Sequence, residues 1–508
     1  MEYNCKYYKQ KKQVSYDSGV TWYDVTPMEY QKGDLYEYDS SDCPISPHDY
    51  SQDYLTFVAR GENCRFYFSG NSIDYSLDSG NTWKGVESGT YTPFIKSGNK
   101  IMWRATLSPF AGIGTFSSTA KFDVEGNPMS LLYGDDFSGQ TSLREKGDAF
   151  HGLFKDNTNL VSAENMSLPA TTLGEYCYHG MFSGCTSLTT APELPATTLA
   201  WDCYGSMFEG CTSLRTAPQL PATTLAKFCY SFMFSGCTSL TEAPELLATE
   251  LYIHCYFAMF KGCTSLTKAP TVLPATTLAE RCYCSMFEGC TSLTKAPSSI
   301  GDSSTTMALN ACEDMFSGCT SLTEAPELPP TTLANFCYER MFGGCTSLTE
   351  APELPATTLA WGCYLYMFAY CTSLTTAPSS IGNSSTTMAS YACENMFKGC
   401  TKLTIAPQLL ATTLSANCYS YMFSGCTSLT TAPELPATTL AEECYAGMFI
   451  NCRNLNYIEC LATDKSASNC TYNWVYRVAS SGTFIKAPSA SWLGGDDGIP
   501  FGWTVIDA

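Results

Sequence analysis

Chemistry in a chain of 508 residues would begin with histidines, reactive cysteines or paired carboxylates. The four histidines, His48, His151, His179 and His254, are scattered across different parts of the chain. No His-Glu-x-x-His, Gly-x-Ser-x-Gly, Walker or dinucleotide-binding pattern occurs, and Cys282-x-Cys284 is too close for a zinc knuckle. Carboxylates do recur, as Glu193, Glu245, Glu327, Glu353 and Glu434, each in Pro-Glu-Leu. Glycoside hydrolysis needs two carboxylates in different environments, which a row of equivalent glutamates does not supply. They read as solvated charges beside a strand. The expectation is a non-enzyme with no catalytic residue, no metal ligand and no cofactor.

Most of the 28 cysteines belong to a repeat rather than to a site. Its consensus is Cys-Tyr-x-x-Met-Phe-x-Gly-Cys-Thr-Ser-Leu-Thr-x-Ala-Pro-Glu-Leu-Pro-Ala-Thr-Thr-Leu-Ala, with the second cysteine at 185, 211, 237, 263, 290, 319, 345, 371, 400, 426 and 452. A fixed period in this range means that each unit buries its apolar face only against its neighbours, which makes a solenoid. Leu199, Cys203, Met207 and Cys211 recur every four residues and are read as the stripe of a short helix, with Thr197 and Thr198 at its start and Gly210 closing it. Tyr370 replaces that glycine in one unit, where a different exit is expected. Along a helix, cysteines eight apart would stand roughly 12 Å from each other, too far for a disulfide. Ala311 and Ala392 take the place of the first cysteine in two units, so the position asks for a small apolar group. Reduced, buried thiols are the favoured reading, with disulfides between rungs or a metal left open.

After the closing glycine, Thr-Ser-Leu-Thr with inward Leu188, Leu214 and Leu240 reads as a short strand pairing in parallel with its neighbours, ended by Pro192 and its equivalents. The expected fold is an α/β solenoid, with one short parallel strand and one short helix per unit, preceded by small all-β modules. The repeat resembles the BspA-like leucine-rich repeats through Cys185-Thr-Ser-Leu188-Thr-Thr-Ala191, Leu194-Pro195, Met207-Phe208 and Cys211. Its units are about three residues longer than the family's, and carry Ala-Pro and Met where the family prefers strand aliphatics and Ala. The resemblance implies a leucine-rich-repeat fold and a surface adhesion role. Degenerate copies at Phe137–Leu143 and Leu153–Leu160 precede the first full unit and read as a cap.

Ser15-Tyr-Asp-Ser-Gly-Val-Thr-Trp22 and Ser76-Leu-Asp-Ser-Gly-Asn-Thr-Trp83 resemble the Asp-box hairpin of sialidases, a structural element that implies no sialidase activity. The division drawn is a small β module over 1–46, a β-sandwich-like module over 54–136, a solenoid of about twelve units over 137–457, and a Trp-rich C-terminal cap over 458–508. Cys5 and Cys43 are one open pairing. The whole arrangement resembles modular proteins of gut anaerobes and their bacteriophages.

A net charge of −20 disfavours nucleic acid and anionic lipid. No run of 18 apolar residues exists to insert in a membrane, and no signal peptide is visible. What varies from unit to unit is the outward side of the expected helix, and many of the variants are aromatic: Trp201, Phe228, Phe232, Phe257, Phe336, Trp361, Tyr366, Tyr391 and Tyr421. Large rings on water suit stacking on sugars or docking a protein, although some would also lean on neighbouring units. These nine are the expected ligand-binding residues. The expectation is a non-catalytic adhesion or receptor-binding protein, such as a phage virion fibre, that meets a cell-surface glycan or protein. A BspA-like bacterial adhesin and a polysaccharide depolymerase are the alternatives. Location in a virion or at a cell surface follows, and association of copies through the N-terminal modules is left open.

Overall fold

The computed structural model describes residues 48–108 and 112–508, with four short strands among the first 47. Two compact units are distinguished, Met1–Tyr50 and Ser51–Ala508. In the first, β1 (Lys6–Tyr8), β2 (Gln13–Ser15), β3 (Tyr23–Asp24) and β4 (Leu35–Glu37) pair antiparallel in the order β3-β2-β1-β4. Residues 16–22 of the first Ser-x-Asp motif, and both Cys5 and Cys43, lie outside the described residues.

The second unit opens with alternating aromatic strands: β5 (Leu55–Ala59), β6 (Phe66–Phe68), β7 (Ile73–Ser76), β8 (Lys84–Val86), β9 (Lys100–Arg104), β10 (Phe116–Ser118) and β11 (Phe122–Gly126). Period-two alternation sends Phe57, Phe66, Trp103, Phe116 and Phe122 to one core, where Phe57 meets Phe66 at 5.0 Å and Phe116 at 4.8 Å between ring centroids. The second Ser-x-Asp motif makes the β7–β8 hairpin. Asp78 accepts from Thr82 N at 2.8 Å and Thr82 Oγ1 at 2.7 Å, and these bonds lower its carboxyl to about 2. The sheet does not stop with the module: β11 pairs in parallel with β12 (Leu160–Met166), giving the order β12-β11-β5-β9-β7-β8, and Ser162 in turn bridges to Thr190 of the first full repeat. Module and repeats therefore share one sheet and one core within Ser51–Ala508.

Each repeat is a rung, and its inward ladders are nearly identical. Phe154, Phe182, Phe208 and their equivalents through Phe449 stack ring on ring at 5.4 to 5.7 Å, and Trp474 ends the row. A second row runs from Phe150 through Tyr178, Tyr204, Tyr230, Tyr256 and Tyr283. The two 29-residue units put Cys312 and Cys393 in the tyrosine place, while Met307 and Met388 replace the usual leucine. Met307 Sδ then lies 3.9 Å from the Tyr338 hydroxyl of the next rung.

The helix expected in every unit is not formed. In the rung ending at Cys211, the N–H groups of Cys203, Gly205, Met207, Glu209 and Cys211 each bond the carbonyl three residues back. The alternate N–H groups, of Asp202, Tyr204, Ser206, Phe208 and Gly210, bond carbonyls of the next rung at 2.7 to 3.1 Å. The segment is thus a run of consecutive turns whose every second amide is a ladder bond. The physical reason is backbone handedness: Asp202, Ser206 and Gly210 have φ of 53°, 53° and 71°, and a left-handed residue at every fourth place forbids an α-helix. Tyr370 makes no different exit, since its φ of 62° matches the glycines it replaces. The strand is also less than expected. In the expected strand segment parallel pairing occurs as single bridges such as Glu242 to Lys268 to Lys295 to Glu324, and further single bridges such as Thr172 to Thr198 to Thr224 join the places read as helix starts. Two-residue strands appear only at β13 (Ser380–Ile381) and β14 (Gln408–Leu409) among the described repeats. At the far end β15 (Tyr457–Cys460), β16 (Thr483–Lys486) and β17 (Thr504–Asp507) pair in parallel, with the Trp474 and Trp503 indoles donating to Gly498 and Ala479 carbonyls at 2.8 Å.

Candidate functional site

Cysteine chemistry is closed off by burial. Every described cysteine is a free, buried thiol. The second thiol of each unit donates to the Phe carbonyl of the preceding rung, as Cys211 Sγ does to Phe182 O at 3.1 Å, and desolvation pushes Cys185 and Cys203 up to about 12. Such thiols are inert and serve as small hydrophobes with a proton to give. The separation of about 12 Å expected within a unit rested on a helix that is absent, so this hydrogen bond is the better reason for cysteine here.

Two of the Pro-Glu-Leu glutamates likewise tie rungs together. Glu245 accepts from Thr271 N and Oγ1, and Glu353 from Ser379 N and Oγ, one rung onward. The exposed strand-side threonines also bind rung to rung, with Thr212 and Thr267 hydroxyls donating to the Thr186 and Thr241 carbonyls. Among the described residues no group of three or more His, Cys, Asp or Glu could hold a metal ion.

What remains for recognition is the turn face. The structure brings the nine expected residues to that one face but uses most of them for packing. Trp201 and Trp361 are 43% and 46% exposed, whereas Phe228, Phe232, Phe257, Phe336, Tyr366, Tyr391 and Tyr421 are half-buried. The rings form two clusters. Trp201 contacts Tyr176 at 5.0 Å and Phe228 at 6.4 Å, Phe228 stacks on His254 at 4.7 Å, and Phe257 meets His254 and Phe232 at 5.1 Å. Farther along, Trp361 meets Phe336 at 4.7 Å and Tyr391 at 5.7 Å. The rings of Phe336 and Tyr421 occupy the space that a Cβ would need at Gly362 and Gly447 of the following rung. Phe228, Phe232, Phe336, Tyr366, Tyr391 and Tyr421 also carry positive φ, from 54° to 61°.

Residues that sequence reasoning missed lie between these clusters. Glu313, Asp314 and Glu339 sit on consecutive rungs with Arg281 3.9 Å from Glu313 and Arg340 3.4 Å from Asp314. Burial, then Glu313 and Asp314, pushes Glu339 up to about 7. In the first cluster, His254 is held below its ordinary value by burial and by Arg281. Tyr370, already an outward aromatic by sequence, is 54% exposed, and its ring lies over Gly399 of the following rung. For the charged residues a readable signal existed, because they occupy the first two of the three left-handed places of a rung or the variable place just before the second.

Comparison with known proteins agrees with this architecture. The family model of the BspA type leucine rich repeat region matches in six copies over residues 152–294, 285–421 and 365–477. Among solved structures, a leucine-rich repeat protein from Bacteroides ovatus is similar at 15% identity and a TM-score of 0.38, covering 70% of this chain and 86% of its own. A leucine rich cell surface protein from Faecalibacterium prausnitzii is similar at 17% identity and a TM-score of 0.32, covering 63% and 82%. A search of curated protein sequences finds no match. No helix of the described residues is long and apolar enough to cross a membrane. With more than half its length matched by the repeat model, the chain belongs to the BspA-type leucine-rich repeat family.

Proposed function

We propose that this chain is a non-catalytic adhesion or receptor-binding protein whose turn face meets a glycan or protein on a cell surface. Proteins built from BspA-type repeats are of the surface and adhesion type, which supports the reading. The observation that carries it is the contrast between an invariant stack and a variable, aromatic face. The Phe row keeps 5.4 to 5.7 Å from rung to rung, while the outward places change identity and leave Trp201 and Trp361 on water. Exposed indoles are costly unless they dock something. A cell surface and a phage particle both fit as the carrier; fractionation of cells and of purified virions separates them.

The test uses the two exposed indoles, because Phe228 and Phe336 are part of the packing. Trp201→Ser with Trp361→Ser should hold the melting free energy within about 0.5 kcal/mol per site, as surface changes do. Binding to whole target cells should fall at least tenfold. Unchanged binding by a fully folded double variant would remove the turn face as the recognition surface.

A further inference from the structure

Two of the four histidines, 28 residues apart in sequence, become neighbours on successive rungs. His151 and His179 occupy the same place in their rungs, the residue before a left-handed glycine, Gly152 and Gly180. Their ring centroids are 4.9 Å apart with the planes at 69°. His151 Nδ1 hydrogen-bonds Asp148 Oδ1 at 3.2 Å, whereas His179 Nδ1 lies 3.2 Å from Asp202 Oδ1 without the angle of a hydrogen bond. Asp148 belongs to the rung of His151 and Asp202 to the rung beyond His179, so each imidazole has a carboxylate of its own. Gly205 makes the second contact possible. A Cβ there would clash with the Asp202 carboxylate and stand 2.9 Å from His179 Nδ1. The side chains of His151 and His179 are 43% and 28% exposed, so solvent ions reach them.

We propose that His151 and His179 form a site for one divalent transition-metal ion of the zinc, copper or nickel class. The bond from His151 to Asp148 places the proton on Nδ1 and leaves the Nε2 lone pair as the ligand atom, the arrangement that supports metal-binding imidazoles, and the Asp202 charge beside His179 Nδ1 favours the same tautomer there. Two imidazole nitrogens favour these ions over calcium or magnesium, which prefer oxygen shells. Asp148 and Asp202 orient the ligands from behind, and water completes the coordination. The inference stands apart from the docking role of Trp201 and Trp361.

Isothermal titration of the full chain with zinc chloride near neutral pH, with a phosphine reductant present, tests it. One saturable ion per chain is expected, with affinity at least tenfold weaker in the His151→Asn, His179→Asn double variant. Equal affinity in that variant would assign the zinc to thiols and overturn the site, as would the lack of saturable binding to the unaltered chain. Copper(II) bound to the unaltered chain provides a measurement that needs no variant. Its electron paramagnetic resonance spectrum should carry nitrogen superhyperfine structure, and a spectrum of oxygen or sulfur ligands alone refutes the proposal.

Discussion

Single residues in this protein are chosen by what the backbone asks of them. Among the described residues, the non-glycine positions with positive φ include Tyr, Phe, His, Arg, Asp, Asn, Ser, Ala and Glu, but no Val, Ile or Thr, whose branched Cβ fits that region worst. Freedom at these places is therefore real but bounded, and it is the freedom on which a variable face depends. Glu339, beside the left-handed Arg340, shows a cost of variation on this face. Its carboxyl is raised from 4.5 to about 7 by burial and by Glu313 and Asp314, so the folded chain holds a proton that the unfolded chain has released. An acid raised in the folded state makes stability fall as pH rises from its unfolded value through its folded one, here from about 4.5 to about 7. Glu339→Gln should remove this loss. Because the group is partly exposed, screening reduces the gain to about 1 kcal/mol above pH 7, with little change near pH 4. Denaturant melts at both pH values check it, and equal stability at both would mean that Glu339 titrates normally.

The element that replaces the helix is a ribbon of turns in which i to i−3 bonds and rung-to-rung bonds alternate. It makes a direct prediction at Ser206, whose φ is 53°. Left-handed backbone costs a non-glycine residue about 1 to 2 kcal/mol, so Ser206→Gly should stabilise the chain by up to about 1 kcal/mol, while Ser206→Val should destabilise it by more than that. In a helix the glycine would be the harmful change, by about 1 kcal/mol. Thermal melts of the two variants therefore tell one element from the other. The sequence carried this distinction. Leu199, Cys203, Met207 and Cys211 return every four residues, and on an α-helix each such step drifts by about 40°, so that the stripe would leave the core within three steps. Glycines at 180, 362 and 447 fall on the same period, in places where a helix interior disfavours them. Period, rung boundaries and the closing glycine were legible. Ring direction was not, because whether Phe336 points to water or onto Gly362 depends on the neighbouring rung's side chain. The pairing of His151 with His179 was hidden for the same reason, since the first lies in a degenerate copy whose register the repeat alone does not fix.

Across the whole second unit, stability is a sum of like interfaces between rungs, closed by the β module at one end and the Trp474 region at the other. Phe208 meets Phe234 at 5.5 Å, Phe234 meets Phe260 at 5.5 Å, and Phe260 meets Phe287 at 5.5 Å, so any one of these interfaces can stand in for another. Excising residues 238–263 joins Cys237 to Thr264 and removes one complete rung, setting Phe234 against Phe287 with the Gly236 amide facing the Glu288 carbonyl that now receives Gly262. The shortened chain should fold cooperatively, with a modest loss of stability and a denaturant slope reduced in proportion to the surface removed, as nearest-neighbour stacking requires. Excising 13 residues from the same place should prevent folding beyond it, because every ladder bond and every inward ring would lose its partner. Circular dichroism and urea melts of the two deletions decide the matter, and a full-rung deletion that fails to fold would show that long-range contacts, rather than the repeat interface, hold the stack together.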